Sequence, residues 1–90
     1  MQDPTYRRAS DAQHVDLGDE LVALDGRTGS CFGFNPVAAT VWHNLDTPKT
    51  FDDLRQILLD EYDVTPEQCS HELQSLLDDL VEQGLVAADG

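Results

Sequence analysis

Polar and apolar residues alternate over His14-Val15-Asp16-Leu17, the period-two pattern of a half-buried strand. Gly18-Asp19 follows as a turn, and Glu20 to Asp25 reads as a second strand around Leu21-Val22-Ala23-Leu24. Asp25-Gly26-Arg27-Thr28-Gly29 has turn chemistry: Asp-Gly tolerates positive φ, and a second glycine closes the loop. The chain therefore folds back into a third strand, Ser30 to Phe34, with Phe32 and Phe34 on one face. Asn35-Pro36 opens a helix, Asn as cap and Pro at a position with no N–H to lose, and Val37, Ala38, Val41, Trp42 and Leu45 follow at helical spacing. Asp46-Thr47-Pro48-Lys49 ends that run. Thr50, with Asp53 three residues on, starts a second helix striped by Phe51, Leu54, Ile57, Leu58 and Tyr62. Thr65-Pro66-Glu67-Gln68 starts a third, with Cys69, Leu73, Leu76, Leu77, Leu80 and Val81 on one face and Gly84 as its stop. Leu85-Val86 is expected to pack back as a short tail.

Residues 1–13 lack periodicity and read as a loose arm, with room for a short strand around Tyr6. Residues 14–90 read as one domain, free of repeats, linkers and low-complexity segments. The expected fold is α+β in the order β-β-β-α-α-α. A three-stranded antiparallel sheet is placed against one end of a helical trio, as in a winged helix-turn-helix.

Charge narrows the choice of partners. Eighteen acids against five bases give a formal charge of −13. Phosphate backbones and anionic membrane surfaces would be repelled. The third helix, the position of a recognition helix, carries Glu67, Glu72, Asp78, Asp79 and Glu82 and no Lys or Arg. Nucleic acid is rejected as ligand on that sign alone. No apolar run is long enough to span a bilayer, and Met1 to Arg8 shows no secretory h-region, so a cytoplasmic protein is expected.

Candidate chemistry is sparse. His14, His43, His71, Cys31 and Cys69 are the soft or imidazole ligands, and no paired spacing joins them. Cys69 and His71 point to different sides of a helix, so no metal is expected. A cysteine–histidine nucleophile would need Cys31 or Cys69 beside a histidine and an orienting group. Cys31 in a strand is more simply a small hydrophobe. The glycines at 26, 29 and 33 run into a strand and form no phosphate loop. A chain this short has little interior in which to build a water-excluding active site, and a binding module is the better reading. An edge of the third strand would offer bare N–H and C=O groups to an added strand, with Phe32 and Phe34 beside it and the third helix's leucines as a second wall. Gly33 would allow close backbone approach. Phe32 and Phe34 as plain core, with Gly33 as a bulge, is the alternative.

The run Leu21 to Pro36, continuing through Ala38-Ala39-Thr40-Val41-Trp42, resembles the PqqD-like family, the peptide-binding domains called RiPP recognition elements. That family's pattern is a hydrophobic strand, a "D-x-x-T-G" turn, an aromatic-rich strand ending in "L-N", and a helix that starts with small residues. Here Phe34-Asn35 stands for the "L-N". Leu76-Leu77-Asp78-Asp79-Leu80-Val81-Glu82-Gln83-Gly84-Leu85-Val86 is similar to the family's closing "L-x-x-L-x-x-x-G-L-[VIL]". The stretch from Leu24 to Pro36 most resembles the stand-alone recognition protein of lasso-peptide biosynthesis. One departure is the small pair Cys31 and Gly33, where relatives often carry bulkier residues.

The resemblance implies a non-catalytic adaptor, with no cofactor, that binds the leader of a ribosomally made precursor peptide as an added strand. Its main-chain partners would be Ser30, Cys31, Phe32, Gly33 and Phe34. The helical wall would come from Leu73, Leu76, Leu77 and Leu80, with Glu72 and Asp79 on a flank where leader Lys or Arg could meet them. Which flank lines the cleft stays open in the sequence. The implied enzymes served are a leader peptidase and a cyclase. Alternatives are a peptide chaperone for a radical-SAM enzyme of pyrroloquinoline-quinone synthesis, an acidic winged-helix regulator acting by protein contact, and a small hydrolase using Cys31. A monomer is expected, with a dimer through the third strand's edge as the competing state.

Overall fold

The structure, a computed structural model, describes residues 4–18 and 20–89. Asp19 of the expected turn, and residues 1–3 of the expected arm, lie outside the described residues. The elements are β1 (Thr5–Arg8), β2 (Ala12–Asp16), β3 (Leu21–Asp25), β4 (Cys31–Phe34), α1 (Pro36–Asn44), β5 (Lys49–Thr50), α2 (Phe51–Glu61), α3 (Pro66–Glu82) and β6 (Val86–Asp89).

The α+β fold with a three-stranded antiparallel sheet and three helices is present. The simple order β-β-β-α-α-α is corrected, because the described residues form a second three-stranded sheet. One sheet is β2-β3-β4, the set expected from the alternating pattern. The other is β5-β1-β6, with β1 in the middle. Residues 5–8 are therefore not part of a loose arm: Thr5 to Arg8 pair antiparallel with Asp89 to Val86, and Tyr6 is buried. Lys49 and Thr50 close the other side of β1. Strands this short, paired with segments at the far end of the chain, leave no periodicity for a local reading to find.

Caps behave as the sequence suggests. Asn35 accepts from the Ala38 amide at the start of α1. Thr50 and Asp53 form a reciprocal capping box at α2. Thr65 accepts from the Gln68 amide at α3, but the Gln68 side chain turns outward to donate to Glu72 instead of closing the box. Gly84, at φ +78°, ends α3. Its amide donates to the Val81 carbonyl and that of Leu85 to the Leu80 carbonyl, a Schellman stop.

Leu21 and Ala23 of β3 and Phe34 of β4 face the helices, where Val41, Trp42, Leu54, Leu73, Leu77 and Leu80 are all but inaccessible. The Phe34 and Trp42 rings lie 5.3 Å apart. The Arg8 guanidinium stacks on Trp42, 4.9 Å from the ring centroid, and donates to the Trp42 carbonyl. Burial pushes Arg8 below its ordinary value, and Asp46 partly offsets this. Val81, expected on the apolar face of α3, is 40% exposed, because its position falls beyond the edge of the buried stripe.

The β3–β4 turn is fastened by Asp25. Its carboxylate is buried and accepts from the Arg27 amide at 2.9 Å. That hydrogen bond, with the Arg27 charge and the Thr28 hydroxyl, holds the Asp25 carboxyl below its ordinary value of 3.8, against the opposing effect of burial. Gly26 serves close approach rather than positive φ: a β-carbon there would sit 2.7 Å from the Asp11 carbonyl oxygen. Gly29, at φ +76°, supplies the left-handed turn residue.

Candidate functional site

β4 follows β3 through a short turn and pairs with it in unbroken register: Leu21 with Phe34, Val22 with Gly33, Ala23 with Phe32, Leu24 with Cys31. Gly33 is thus an ordinary ladder residue, not a bulge. Among the described residues β4 has no neighbour on its other side, so its outer edge is open.

Which main-chain groups face that edge follows from the ladder. In an antiparallel pair, one residue directs both its N–H and C=O to the neighbour and the next directs both away. The Asp25 amide donates to the Ser30 carbonyl, so Ser30, Phe32 and Phe34 turn toward β3. On the far side of β3, the Leu17 amide donates to the Glu20 carbonyl, which assigns Val22 and Leu24 to β2 and leaves Leu21, Ala23 and Asp25 for β4. The two assignments agree. Cys31 and Gly33 are therefore the residues whose N–H and C=O point out from the edge.

Side chains alternate independently of these bonds. Phe32 and Phe34 face the helices, with their rings 5.3 Å apart. Phe34 is buried and Phe32 half-buried. Cys31 and Gly33 face the opposite side of the sheet. A β-carbon built on Gly33 meets nothing within 4 Å.

Beside the edge lies a cleft of about 440 Å3 between β4 and α3. Phe32 and Gly33 form one side. Asn35, Val37 and Ala38, where the chain turns into α1, contribute to the lining at the end of the strand. The other side is α3, through His71, Glu72, Leu73, Ser75, Leu76 and Asp79. The spacing 72, 75/76, 79 is one helical flank, so the structure decides which flank borders the cleft: that of Glu72 and Asp79. Asp78 lies on the other flank and accepts from Gln74.

The expected helical wall divides in two. Leu73 and Leu76 line the cleft. Leu77 and Leu80 are fully buried and do not reach it. They occupy the middle of the apolar stripe together with Leu73, which is as deeply buried and touches the cleft only at its floor, while Leu76, half-buried, stands at the stripe's margin. His71, Ser75, Asn35, Val37 and Ala38 belong to the lining and were not among the expected residues. His71 and Ser75 extend the flank already marked by Glu72 and Asp79, so the helical spacing held that signal. The α1 residues are brought in by the direct passage from β4 to α1.

The cleft's charge is acidic. Glu72 accepts from Gln68, and among the described residues neither Glu72 nor Asp79 is ion-paired. The chain's five Lys and Arg are engaged elsewhere: Arg7 with Asp89, Arg27 with Asp25 and Asp11, Arg55 with Asp52, Arg8 on the Trp42 carbonyl and Lys49 on the Thr47 hydroxyl.

The soft ligands stay dispersed. The His14 and His43 rings meet edge-on, 6.0 Å apart, away from His71 in the cleft. Both cysteines are free, Cys31 exposed and Cys69 buried. Burial pushes the Cys69 thiol up, which disfavours the thiolate a nucleophile needs. Among the described residues, no three His, Cys, Asp or Glu side chains gather to hold a metal ion, and no helix is long and apolar enough to cross a membrane.

Two solved structures share this fold. One is TbiB1 in complex with the TbiA(beta) leader peptide, with a TM-score of 0.82 and 24% identity, covering 89% of this chain and 93% of that one. Another is lasso peptide synthetase B1 complexed with the leader peptide, with a TM-score of 0.79 and 26% identity, covering 91% and 96%. A comparison with curated proteins finds no match. The family model described as coenzyme PQQ synthesis protein D matches residues 20–86, from β3 to the first residue of β6 and so across both walls of the cleft, and the chain belongs to the PqqD family.

Proposed function

We propose that this protein is a non-catalytic adaptor that binds the leader segment of a ribosomally made precursor peptide and presents it to modifying enzymes. The leader adds as a fourth strand to β4. The observation that carries the reading is the open β4 edge, with Cys31 and Gly33 directed outward, set beside an apolar-floored cleft under α3. Strand addition there forms main-chain bonds at Cys31 and Gly33, each contributing about 0.5–1.5 kcal/mol net. Leader side chains opposite Phe32 and Phe34 project into the cleft, toward Val37, Leu73 and Leu76. A leader Tyr or Pro suits that apolar floor, and a leader Lys or Arg suits the Glu72 and Asp79 rim. Of the main-chain partners expected from the sequence, Ser30, Phe32 and Phe34 spend their bonds on β3 and contribute by packing or position.

The two complexes sharing the fold hold leader peptides, which supports the same ligand class here. In this reading the enzymes served are the leader peptidase and cyclase of lasso-peptide biosynthesis, and the adaptor works in the cytoplasm as a monomer. Tethering the leader raises the effective concentration of the attached core peptide at the enzyme, which is a delivery function rather than chemistry. A second reading, favoured by the family description, is a chaperone that hands a peptide to a radical-SAM enzyme. Neighbouring genes separate the two.

The test is a titration of the encoded leader into labelled protein, followed by amide NMR. Shifts centred on Cys31 to Phe34 and on His71 to Asp79 are expected. Absence of binding by any leader encoded nearby refutes the proposal.

A further inference from the structure

The cleft's two walls are joined differently at its two ends. At one end β4 runs directly into α1, and Val37 of α1 faces Cys69 and Glu72 of α3 across a small apolar gap. The other end lies at the β3–β4 turn, beyond Cys31 on one wall and Asp79 on the other. Among the described residues, no hydrogen bond or ion pair joins β4 to α3. What bridges this end is Arg27. Its Nη2 lies 2.7 Å from where a β-carbon on Gly84 would stand, and Asp25 Oδ2 lies 3.2 Å from the same point. Gly84 is the residue that ends α3. Asp25 and Asp11, at 3.5 and 3.7 Å from Arg27 Nε, hold the guanidinium in place. α3 has no basic residue in its own last turn, which carries Asp79 and Glu82. The β3–β4 turn therefore supplies the cation that the negative end of the helix lacks.

We propose that Arg27 is a positioning residue for the leader: from the β3–β4 turn it clamps the C-terminal end of α3 and fixes the width of the cleft there. The inference rests on the leader-binding reading above and deepens it. Strand addition needs the outward groups of Cys31 and Gly33 and the α3 wall at a set spacing. Gly33 is next to the α1 end, where chain connection and packing hold that spacing. Cys31 is two residues past Gly29, at the end where Arg27 holds it. With the clamp in place the leader meets a cleft already at its working width, and little of its binding free energy goes into bringing the walls together. Without it the turn end opens, and the leader frays from Cys31 while staying paired at Gly33. The Arg27 side chain is 62% exposed, so its replacement leaves the core intact, and the Arg27 amide still donates to Asp25.

The test is Arg27→Gln, with Arg27→Lys as the variant that keeps the charge. Arg7→Gln alters the net charge equally, at the Asp89 pair outside the cleft, and controls for steering of a basic leader. Calorimetric titration of the encoded leader should show Arg27→Gln binding roughly five- to tenfold more weakly. Arg27→Lys should fall between it and wild type, and Arg7→Gln should match wild type. In the complex, hydrogen exchange at the Cys31 amide should speed up in Arg27→Gln while Gly33 stays protected, a one-ended loss that general destabilisation would not give. Nitroxides on Cys31 and on Glu82→Cys, with Cys69 buried and unlabelled, read the gap in the free protein, which should lengthen or broaden in Arg27→Gln. Arg27→Lys gives the same readings in smaller measure and decides the matter if the glutamine variant does not fold. Folded Arg27→Gln that binds leader within about twofold of wild type overturns the proposal. Equal loss of protection at Cys31 and Gly33, or an unchanged label distance, overturns it too. A leader that fails to bind wild type strikes the adaptor reading instead, and the label distance, measured without leader, still decides the clamp.

Discussion

Replacing Gly33 by proline tests the edge assignment at one atom. Proline removes the residue's N–H, which in the β4 ladder points away from β3, so no existing hydrogen bond is lost. Proline is tolerated on an edge strand when its missing donor faces outward. The space at the Cβ position is empty to 4 Å. The fold should therefore persist, with an unchanged amide spectrum outside β4. The leader, however, loses its donor at residue 33 and leaves a carbonyl unpaired in a partly buried groove. That costs about 1–3 kcal/mol, equivalent to roughly 5- to 150-fold weaker binding. Gly33→Ala keeps the N–H and should bind within about threefold of wild type. The assay is calorimetric titration of the leader, paired with amide hydrogen exchange. In free protein the Cys31 and Gly33 amides should exchange quickly, and those of Phe32 and Phe34, bonded to β3, slowly. Leader should protect Cys31 and Gly33 specifically. A folded Gly33→Pro protein that binds leader as tightly as wild type would refute the strand-addition geometry. Protection gained at Phe32 and Phe34 but not at Cys31 and Gly33 would refute the register.

The two leucines at 76 and 77 should separate binding from stability. Leu77→Ala empties a fully buried site and should cost about 2–5 kcal/mol of unfolding free energy, whereas Leu76→Ala should spare most stability and weaken leader binding, as read by denaturant melts beside titrations. Glu72→Gln with Asp79→Asn should slow association of a lysine- or arginine-bearing leader and flatten its salt dependence in stopped-flow traces; an unchanged salt slope would remove the rim from recognition. Asp25 has a folded value below its ordinary 3.8, so its contribution is present above that value and is lost as pH falls through the lower, folded one. Asp25→Asn should be less stable at neutral pH and show a shallower acid loss in thermal melts from pH 7 to the carboxylate range. Gly26→Ala drives a β-carbon against the Asp11 carbonyl and should destabilise by roughly 1–3 kcal/mol in the same melts.

Local physics made much of this molecule legible in its sequence. Asn35-Pro36, Thr50 with Asp53, Thr65-Pro66 and Gly84 mark helix ends because capping uses side chains within a few residues of the backbone groups they satisfy. Phe32 and Phe34 share the face expected of them, since pleating fixes side-chain direction once the chain is extended. The alternation at His14 to Leu17 misleads: Val15 and Leu17 lie on the exposed face of β2, and His14 opposes the buried Ala23. The sign of the charge, and with it the rejection of nucleic acid, needed no fold at all. Other features depended on partners distant in sequence. β1 is a strand because Val86 to Asp89 and Lys49 to Thr50 come to lie beside it, and no pattern within TYRR announces that. Leu73, Leu76, Leu77 and Leu80 are equivalent on a helical stripe. Only packing, chiefly against α2 and β6, sends Leu73, Leu77 and Leu80 to the core and leaves Leu76 and the Glu72–Asp79 flank at the cleft. Likewise, the five consecutive residues from Ser30 to Phe34 look alike as main-chain partners until the β3 register divides them. Sequence determined which groups exist and which are locally satisfied. Tertiary structure decided which remain unsatisfied and where they point, because that depends on what occupies the other side.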